Sequence, residues 1–205
     1  MESRKMSAGK EQLLDFFGAV EPLLAEVIKA NDALQTPAPS SPFESLVSAI
    51  ISQQLSVKAA ATIHQRLVEL LDMDVSPLNV LSKSIEDFRS VGVSKQKGSY
   101  LLDLARHFHE SPSAYGSLET KCDEEVIELL TAVKGIGVWS AQMFLMFNLL
   151  REDVFPVDDL GIRNGMKALL ELPEDITKKE LTAHAEKWSP HRTAACRYIW
   201  KWYSN

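Results

Sequence analysis

Two short stretches of this 205-residue sequence hold residue types that could do chemistry. In KGIGVWSAQMFLMF, residues 134–147, Gly135 and Gly137 flank Ile136 and interrupt a helical run, in a chain with nine glycines in all. Glycine supplies positive φ or a close backbone approach without a Cβ penalty, so the pair fits a tight turn between two helices. With Ile136 plugged into a core, successive N–H groups at the start of the next helix would be left unpaired, a favourable seat for a phosphate. An ordinary αα-corner would use the same glycines and bind nothing. Further along, VFPVDDLGIRNGM places Asp158 and Asp159 after an extended, proline-containing stretch and at a helix start. Carboxylates in that position can serve a reaction or simply cap the helix. His64, His107, His109, His184 and His191 are scattered and form no metal pattern.

Helices must position these stretches. Ser41-Pro42-Phe43-Glu44 is a capping box with proline at the first helical position, and Phe43, Leu46, Val47, Ile50 and Ile51 mark one apolar face after it. Ser56 can cap a second helix, VKAAATIHQRLVELL, leaving SQQLS (52–56) as a polar break. Ser84 opens a short helix that Gly92 can end, and Ser94 caps KQKGSYLLDLARHFHE. Asp123 starts EEVIELLTAV, which runs into the two glycines. A helix then continues through Leu150, and in DVFPVDD the proline at 156 disfavours helical geometry at Phe155. Helices resume with LGIRNGMKALLEL, with a Thr177 to Glu180 capping box, and with RTAACRYIWKWY after Pro190. No run alternates as a strand would. The fold class is all-α. Residues 1 to about 10 read as frayed, and TPAPSSP (36–42) as a connector.

Composition narrows the class. Charged residues at 24% and hydrophobic ones at 45% fit a globular chain, and no apolar stretch is long enough to span a membrane. MESRKMSAGKEQ lacks the apolar region of a secretory signal, and Cys122 and Cys196 form no CxxC or metal spacing, so a reducing, intracellular setting is expected. A net charge of -6 argues against affinity won by wrapping phosphates in Lys and Arg. Lys95, Lys97, Lys134, Arg163 and Lys167 near loops and helix starts leave a local basic face open.

Together, LLTAVKGIGVWSAQMFLMF and VFPVDDLGIR resemble the helix-hairpin-helix and downstream catalytic aspartate of the HhH-GPD superfamily of base-excision DNA glycosylases. Adding PFESLVSAIISQQLSVKAA narrows the resemblance to the 3-methyladenine (alkylpurine) DNA glycosylases, over about residues 42–203. The resemblance implies two helical subdomains with the active site in the cleft between them. Residues 1–41 would form an N-terminal helix and connector packing with the C-terminal subdomain. Residues 42–155 would form a central subdomain with the wedge loop and the helix-hairpin-helix (about 123–149), and residues 156–205 the C-terminal helices with the aspartate.

The implied activity is hydrolysis of the N-glycosidic bond of alkylated purines (3-methyladenine, 7-methylguanine, ethenoadenine) in double-stranded DNA, by base flipping. Another specificity, for oxidised or deaminated bases, or a non-catalytic DNA-binding role are the alternatives. The family pattern D-x-x-I/V selects Asp159 as the catalytic carboxylate and leaves Asp158 to cap the helix or support the loop. Members that also cleave the backbone carry a lysine two residues after the second hairpin glycine; Trp139 stands there, which implies no AP lyase activity. Gln54 takes the wedge position, with Gln53 contacting DNA or supporting the loop. Trp139, Trp200, Phe43, Phe155 and Met143 fall at or near base-pocket positions, and Lys134, Gly135, Ile136 and Gly137 form the phosphate-binding hairpin. No iron–sulfur cluster is implied, since the two cysteines cannot supply four ligands; a sodium or potassium ion on the carbonyls of Thr131, Val133 and Ile136 is. A monomer is expected, cytoplasmic in a bacterium or nuclear in a eukaryote, with damaged duplex DNA as partner and no membrane.

Overall fold

The structure, a computed structural model, describes residues 8–38 and 40–204. Among the described residues every regular element is helical. The chain opens with α1 (Lys10–Val20) and α2 (Pro22–Ala30). There follow α3 (Pro42–Ser52), α4 (Val57–Leu70), α5 (Pro77–Leu81), α6 (Ile85–Ser90), α7 (Lys95–Glu110) and α8 (Pro112–Tyr115). After a 3₁₀ turn at Leu118–Thr120 come α9 (Asp123–Thr131) and α10 (Val138–Phe147), then α11 (Leu160–Leu169) and α12 (Lys178–Ala185). A second 3₁₀ turn, Glu186–Trp188, precedes α13 (Arg192–Tyr203). No helix among them is long and apolar enough to cross a membrane.

The starts follow from side chains close by in sequence. Ser41, Ser56, Ser84, Ser94 and Thr177 each accept a hydrogen bond from the backbone N–H three residues on, satisfying a donor that the first helical turn leaves unpaired. Two ends differ from the sequence expectation. The single N-terminal helix is two, because Pro22 forces Glu21 out of helical geometry, to φ −153° and ψ 77°. The helix expected to reach Leu150 stops at Phe147: Leu150 turns left-handed at φ 56° and the Arg151 N–H donates to the Leu145 carbonyl at 2.9 Å, a closing bond made without glycine. The frayed start expected for residues 1 to about 10 falls largely on residues 1–7, which lie outside the described residues; α1 begins at Lys10.

Backbone proximity divides the chain into two compact units, Met1–Ala38 with Leu145–Asn205, and Pro39–Phe144. The second boundary passes through α10. In the first, terminal unit, α13 packs against α2 and α11, and α1 against α2. Phe17, Leu24, Ile28, Ile162, Met166, Trp188, Tyr198 and Ile199 are fully buried there. In the central unit α7 is the hub, packed against α3, α5, α6 and α8 around Leu46, Ile50, Leu67, Phe88, Leu101 and Leu104. Burying each such side chain contributes on the order of 1.5–3 kcal/mol, which gives the loops at the ends of these helices a stiff base.

Candidate functional site

In the central unit the chain reverses between α9 and α10. Val133 and Ile136 are buried and the Ile136 N–H donates to the Val133 carbonyl at 3.1 Å, which pins the turn to the core. The two glycines are not equivalent. Gly135 has φ 85°, and a Cβ on it would overlap the Tyr100 ring, so both its conformation and its surroundings demand glycine. Gly137 has no left-handed geometry and nothing within 4 Å of a Cβ, so of the pair only Gly135 is one the turn itself demands.

A buried carboxylate braces this turn from α7. Asp103, 7% exposed, accepts the Lys134 N–H at 2.9 Å, and its carboxylate lies 3.4 Å from Arg106, 3.6 Å from the Lys134 ammonium and 3.8 Å from His107. His107 Nδ1 meets the Tyr115 hydroxyl at 3.0 Å, and that hydroxyl donates to the Leu129 carbonyl of α9 at 2.9 Å. Burial, and then the Asp103 charge, push the Tyr115 phenol above its ordinary value.

The polar break between α3 and α4 is a tight turn. Gln54 stands exposed at φ 56°, a left-handed conformation uncommon for a residue other than glycine. Gln53 directs its amide inward, donating to the Gly135 carbonyl at 2.8 Å. The Lys97 ammonium donates to the carbonyls of Ile51 at 2.6 Å and Gln53 at 2.7 Å. Trp139, in the first turn of α10, is 46% exposed, and Met143 is half-buried one turn on. Phe43 is buried, packed edge-on against Phe108.

In the terminal unit the approach to α11 is held by side chains of α13. Thr193 Oγ1 donates to the Arg151 carbonyl at 2.7 Å and accepts the Val154 N–H at 3.1 Å. Asp153 accepts from Arg192 Nε at 2.7 Å and Nη2 at 2.9 Å, and from Ser189 Oγ at 2.8 Å. Burial raises the Asp153 pKa, but these hydrogen bonds outweigh it and hold the carboxyl below its ordinary value. Phe155 is buried edge-on against Trp188. Val157 and Asp159 then turn back on the carbonyls of Phe155 and Pro156, at 3.0 and 2.9 Å, and α11 begins.

The two aspartates at that start have different roles. Asp159 is the N-cap: its Oδ1 accepts the Ile162 N–H at 2.8 Å and the Trp200 indole N–H at 2.9 Å. Asp158, expected to cap or support, is exposed and paired with Lys178, whose hydrogen bond and charge hold its carboxyl below the ordinary value; the cap is Asp159. Gly161 sits so close to this pair that a Cβ would lie 3.1 Å from Asp159 Oδ1 and 3.3 Å from Trp200 Cδ1. The Trp200 ring stacks on Phe147, with centroids 6.2 Å apart, and the Arg197 guanidinium lies 5.5 Å from the Phe147 centroid.

The expected basic face loses members. Lys97 points inward, and Lys167 pairs with Glu174 at 2.9 Å. Sequence spacing also missed Tyr100, Asp103 and Phe147, which meet Gly135, Lys134 and Trp200, and Gly161, which lies against both Asp159 and Trp200. It missed a buried cluster as well: Glu21, 7% exposed, with His184 at 2.8 Å, Lys187 at 2.9 Å and Trp188 at 3.3 Å. Burial pushes Glu21 up, but bonds from Lys187, His184 and Trp188 outweigh it and hold the carboxyl low. The one available signal was a glutamate directly before a proline. Cys122 and Cys196 are free thiols, and among the described residues no group of three or more His, Cys, Asp or Glu could hold a metal ion.

The family model of the HhH-GPD superfamily base excision DNA repair proteins matches residues 47–191, which include both the hairpin and Asp159. The chain belongs to that superfamily. Over 168 residues it is 39% identical to DNA-3-methyladenine glycosylase 1 of Schizosaccharomyces pombe, covering 78% of this chain and 72% of the relative. The chain spans 58% of the length of two further curated relatives. A crystal structure of a DNA-3-methyladenine glycosidase from Bacillus halodurans matches with a TM-score of 0.84 at 36% identity, covering 100% of this chain and 94% of that one. The Schizosaccharomyces pombe 3-methyladenine DNA glycosylase in complex with abasic DNA matches with a TM-score of 0.78 at 32% identity, covering 93% and 95%.

Proposed function

We propose that this superfamily member is a DNA glycosylase that flips alkylated purines, 3-methyladenine and 7-methylguanine among them, out of duplex DNA and hydrolyses their N-glycosidic bond. The observation that carries the reading is Asp159, which the family pattern D-x-x-I/V selects, with Oδ1 held by two N–H donors, Ile162 and Trp200. A carboxylate fixed in this way is pre-organised to stabilise positive charge on a sugar. As the C1′–N bond breaks, its electron pair leaves with the base and Asp159 faces the oxocarbenium-like sugar. Water then adds at C1′ and loses a proton. A cationic alkylated base departs neutral, so it needs little help from a general acid.

The hairpin would bind the backbone. The hairpin leads straight into the start of α10, where the helix dipole favours an anion, and the open space at Gly137 lets a phosphate come close to it. The carbonyls of Thr131, Val133 and Ile136 would hold a monovalent cation beside that phosphate, adding positive charge. That of Val133 already accepts the Ile136 N–H at 3.1 Å, which leaves it a second lone pair for an ion. Gln54, exposed on its turn, would fill the gap left by the flipped nucleotide. Trp139 offers an exposed ring to an electron-poor base, and Met143 lies on the same helix. Phe43 and Phe155 are both buried, so neither ring is open to face a base. An indole has no nucleophilic amine, so Trp139 in place of lysine would leave the product an intact strand with an abasic site.

The test uses duplexes with single alkylated, oxidised or deaminated bases, scored for strand breaks with and without alkali. Alkali-dependent breaks at alkylated purines are expected. They should fall by about a hundredfold to a thousandfold in Asp159→Asn, which keeps the helix cap because asparagine caps as well as aspartate. Breaks without alkali would overturn the monofunctional reading, excision confined to oxidised or deaminated bases would overturn the substrate class, and binding with no excision by either protein would overturn the enzyme.

A further inference from the structure

Lys97 occupies a place that ordinary helix electrostatics disfavours. It lies in the first turn of α7, where the helix dipole repels a cation, and its half-buried position draws the ammonium away from water. Burial alone pushes its pKa below the ordinary lysine value. What it gains is a pair of short hydrogen bonds, to the carbonyls of Ile51 at 2.6 Å and Gln53 at 2.7 Å. Both belong to the C-terminal end of α3, where carbonyls lack partners within the helix. The Ser52 carbonyl between them accepts the Leu55 N–H at 3.2 Å. The next residue is Gln54, held left-handed at φ 56° and exposed. The Gln53 amide in turn donates to the Gly135 carbonyl of the hairpin at 2.8 Å. The turn is therefore tied to α7 and to the hairpin through the residues just before Gln54, while the Gln54 side chain projects to solvent.

We propose that Lys97 is a positioning residue for base extrusion, its ammonium clamping the end of α3 so that Gln54 enters the base stack as a rigid wedge. The inference rests on the reading of Gln54 as the wedge. A turn already fixed in its working geometry loses no freedom on insertion, whereas a loose turn must be ordered at each flipping event. Lys97 acts through Gln54 and touches no reacting atom, so its effect is confined to lesions that must be unpaired.

The experiment compares single-turnover excision of one alkylated purine in two settings: paired in a duplex, and opposite an abasic site, where no pairing has to be broken. Lys97→Met keeps the apolar stem and removes the donors. It should slow excision of the paired lesion by about tenfold, the worth of one hydrogen bond to a charged group. The unpaired lesion should be cut at close to the wild-type rate, and Lys97→Arg, which can reach both carbonyls, should restore the paired rate. Gln54→Ala should show the same discrimination, and Lys97→Met should add little in that background, because both act through one wedge. Equal slowing on both substrates, or no slowing on either, overturns the role of Lys97. A Gln54→Ala protein that cuts both lesions at wild-type rates overturns the wedge reading itself, and the clamp with it; discrimination by Gln54→Ala without discrimination by Lys97→Met overturns the clamp alone.

Discussion

At the hairpin a carboxylate holds backbone, and at α11 backbone holds a carboxylate. Asp103 accepts the Lys134 N–H and so fixes a loop whose proposed working groups are backbone N–H donors. Asp159 is fixed in turn by the Ile162 N–H and the Trp200 indole, and there the proposed working group is the side chain. The two sites are therefore vulnerable to different changes. A site made of backbone is damaged by whatever alters φ, while a site made of one side chain is damaged by whatever displaces that side chain, even with the fold intact.

The largest expected effect is Gly135→Ala, which meets both a positive φ and the Tyr100 ring. A loss of roughly 2–4 kcal/mol is expected by urea titration, from combined strain and clash. Gly137→Ala should stay within about 0.5 kcal/mol of wild type and should show its effect in DNA affinity instead. Equal stability losses at the two glycines would erase the distinction drawn between them. Gly161→Ala is the counterpart at α11. Alanine is the better helix former, so stability should hold, but a Cβ beside Asp159 Oδ1 and Trp200 would shift their bond and lower excision by about tenfold. Unchanged excision would show that this bond does not set the position of the carboxylate.

A further stability effect, below that at Gly135, is Asp153→Asn, which tests the approach to Asp159. Arg192 and Ser189 hold the Asp153 carboxyl below its ordinary 3.8 in the folded chain. A carboxylate depressed on folding adds stability above its unfolded pKa and loses it as pH falls through the folded one. The variant should therefore be about 1 kcal/mol less stable at neutral pH, given that the pair is partly exposed. The gap should close on acidification below pH 3.8. A gap that persists at low pH would assign the stabilisation to packing rather than to charge.

How far each feature could be read from the sequence follows the distance over which it is determined. Ser41, Ser56, Ser84, Ser94 and Thr177 cap helices by reaching three residues along their own chain, so their spacing alone located the starts. The all-α class followed from the same local chemistry. The end of α10 was misplaced because Leu150 takes the left-handed role usually left to glycine, and Asp158 and Asp159 could not be told apart as caps by position. The motif around Asp159 was visible, whereas the bond that orients it comes from Trp200, 41 positions away. Lys97 and Asp103 share one helix, α7. Their partners lie 46 and 31 positions distant, at Ile51 and Lys134, and no periodicity marks such pairs.

The brace on Lys134 bears on how long the protein stays on undamaged DNA. A lysine whose ammonium lies 3.6 Å from a buried aspartate is partly neutralised before any phosphate arrives, and the backbone donors beside it carry no net charge. Under the proposed reading, phosphates held by backbone donors rather than by many lysines and arginines displace few counterions, so the grip should weaken only gently as salt rises. In a chain with a net charge of -6, the proposed grip would favour brief visits, with many base pairs sampled between one lesion and the next.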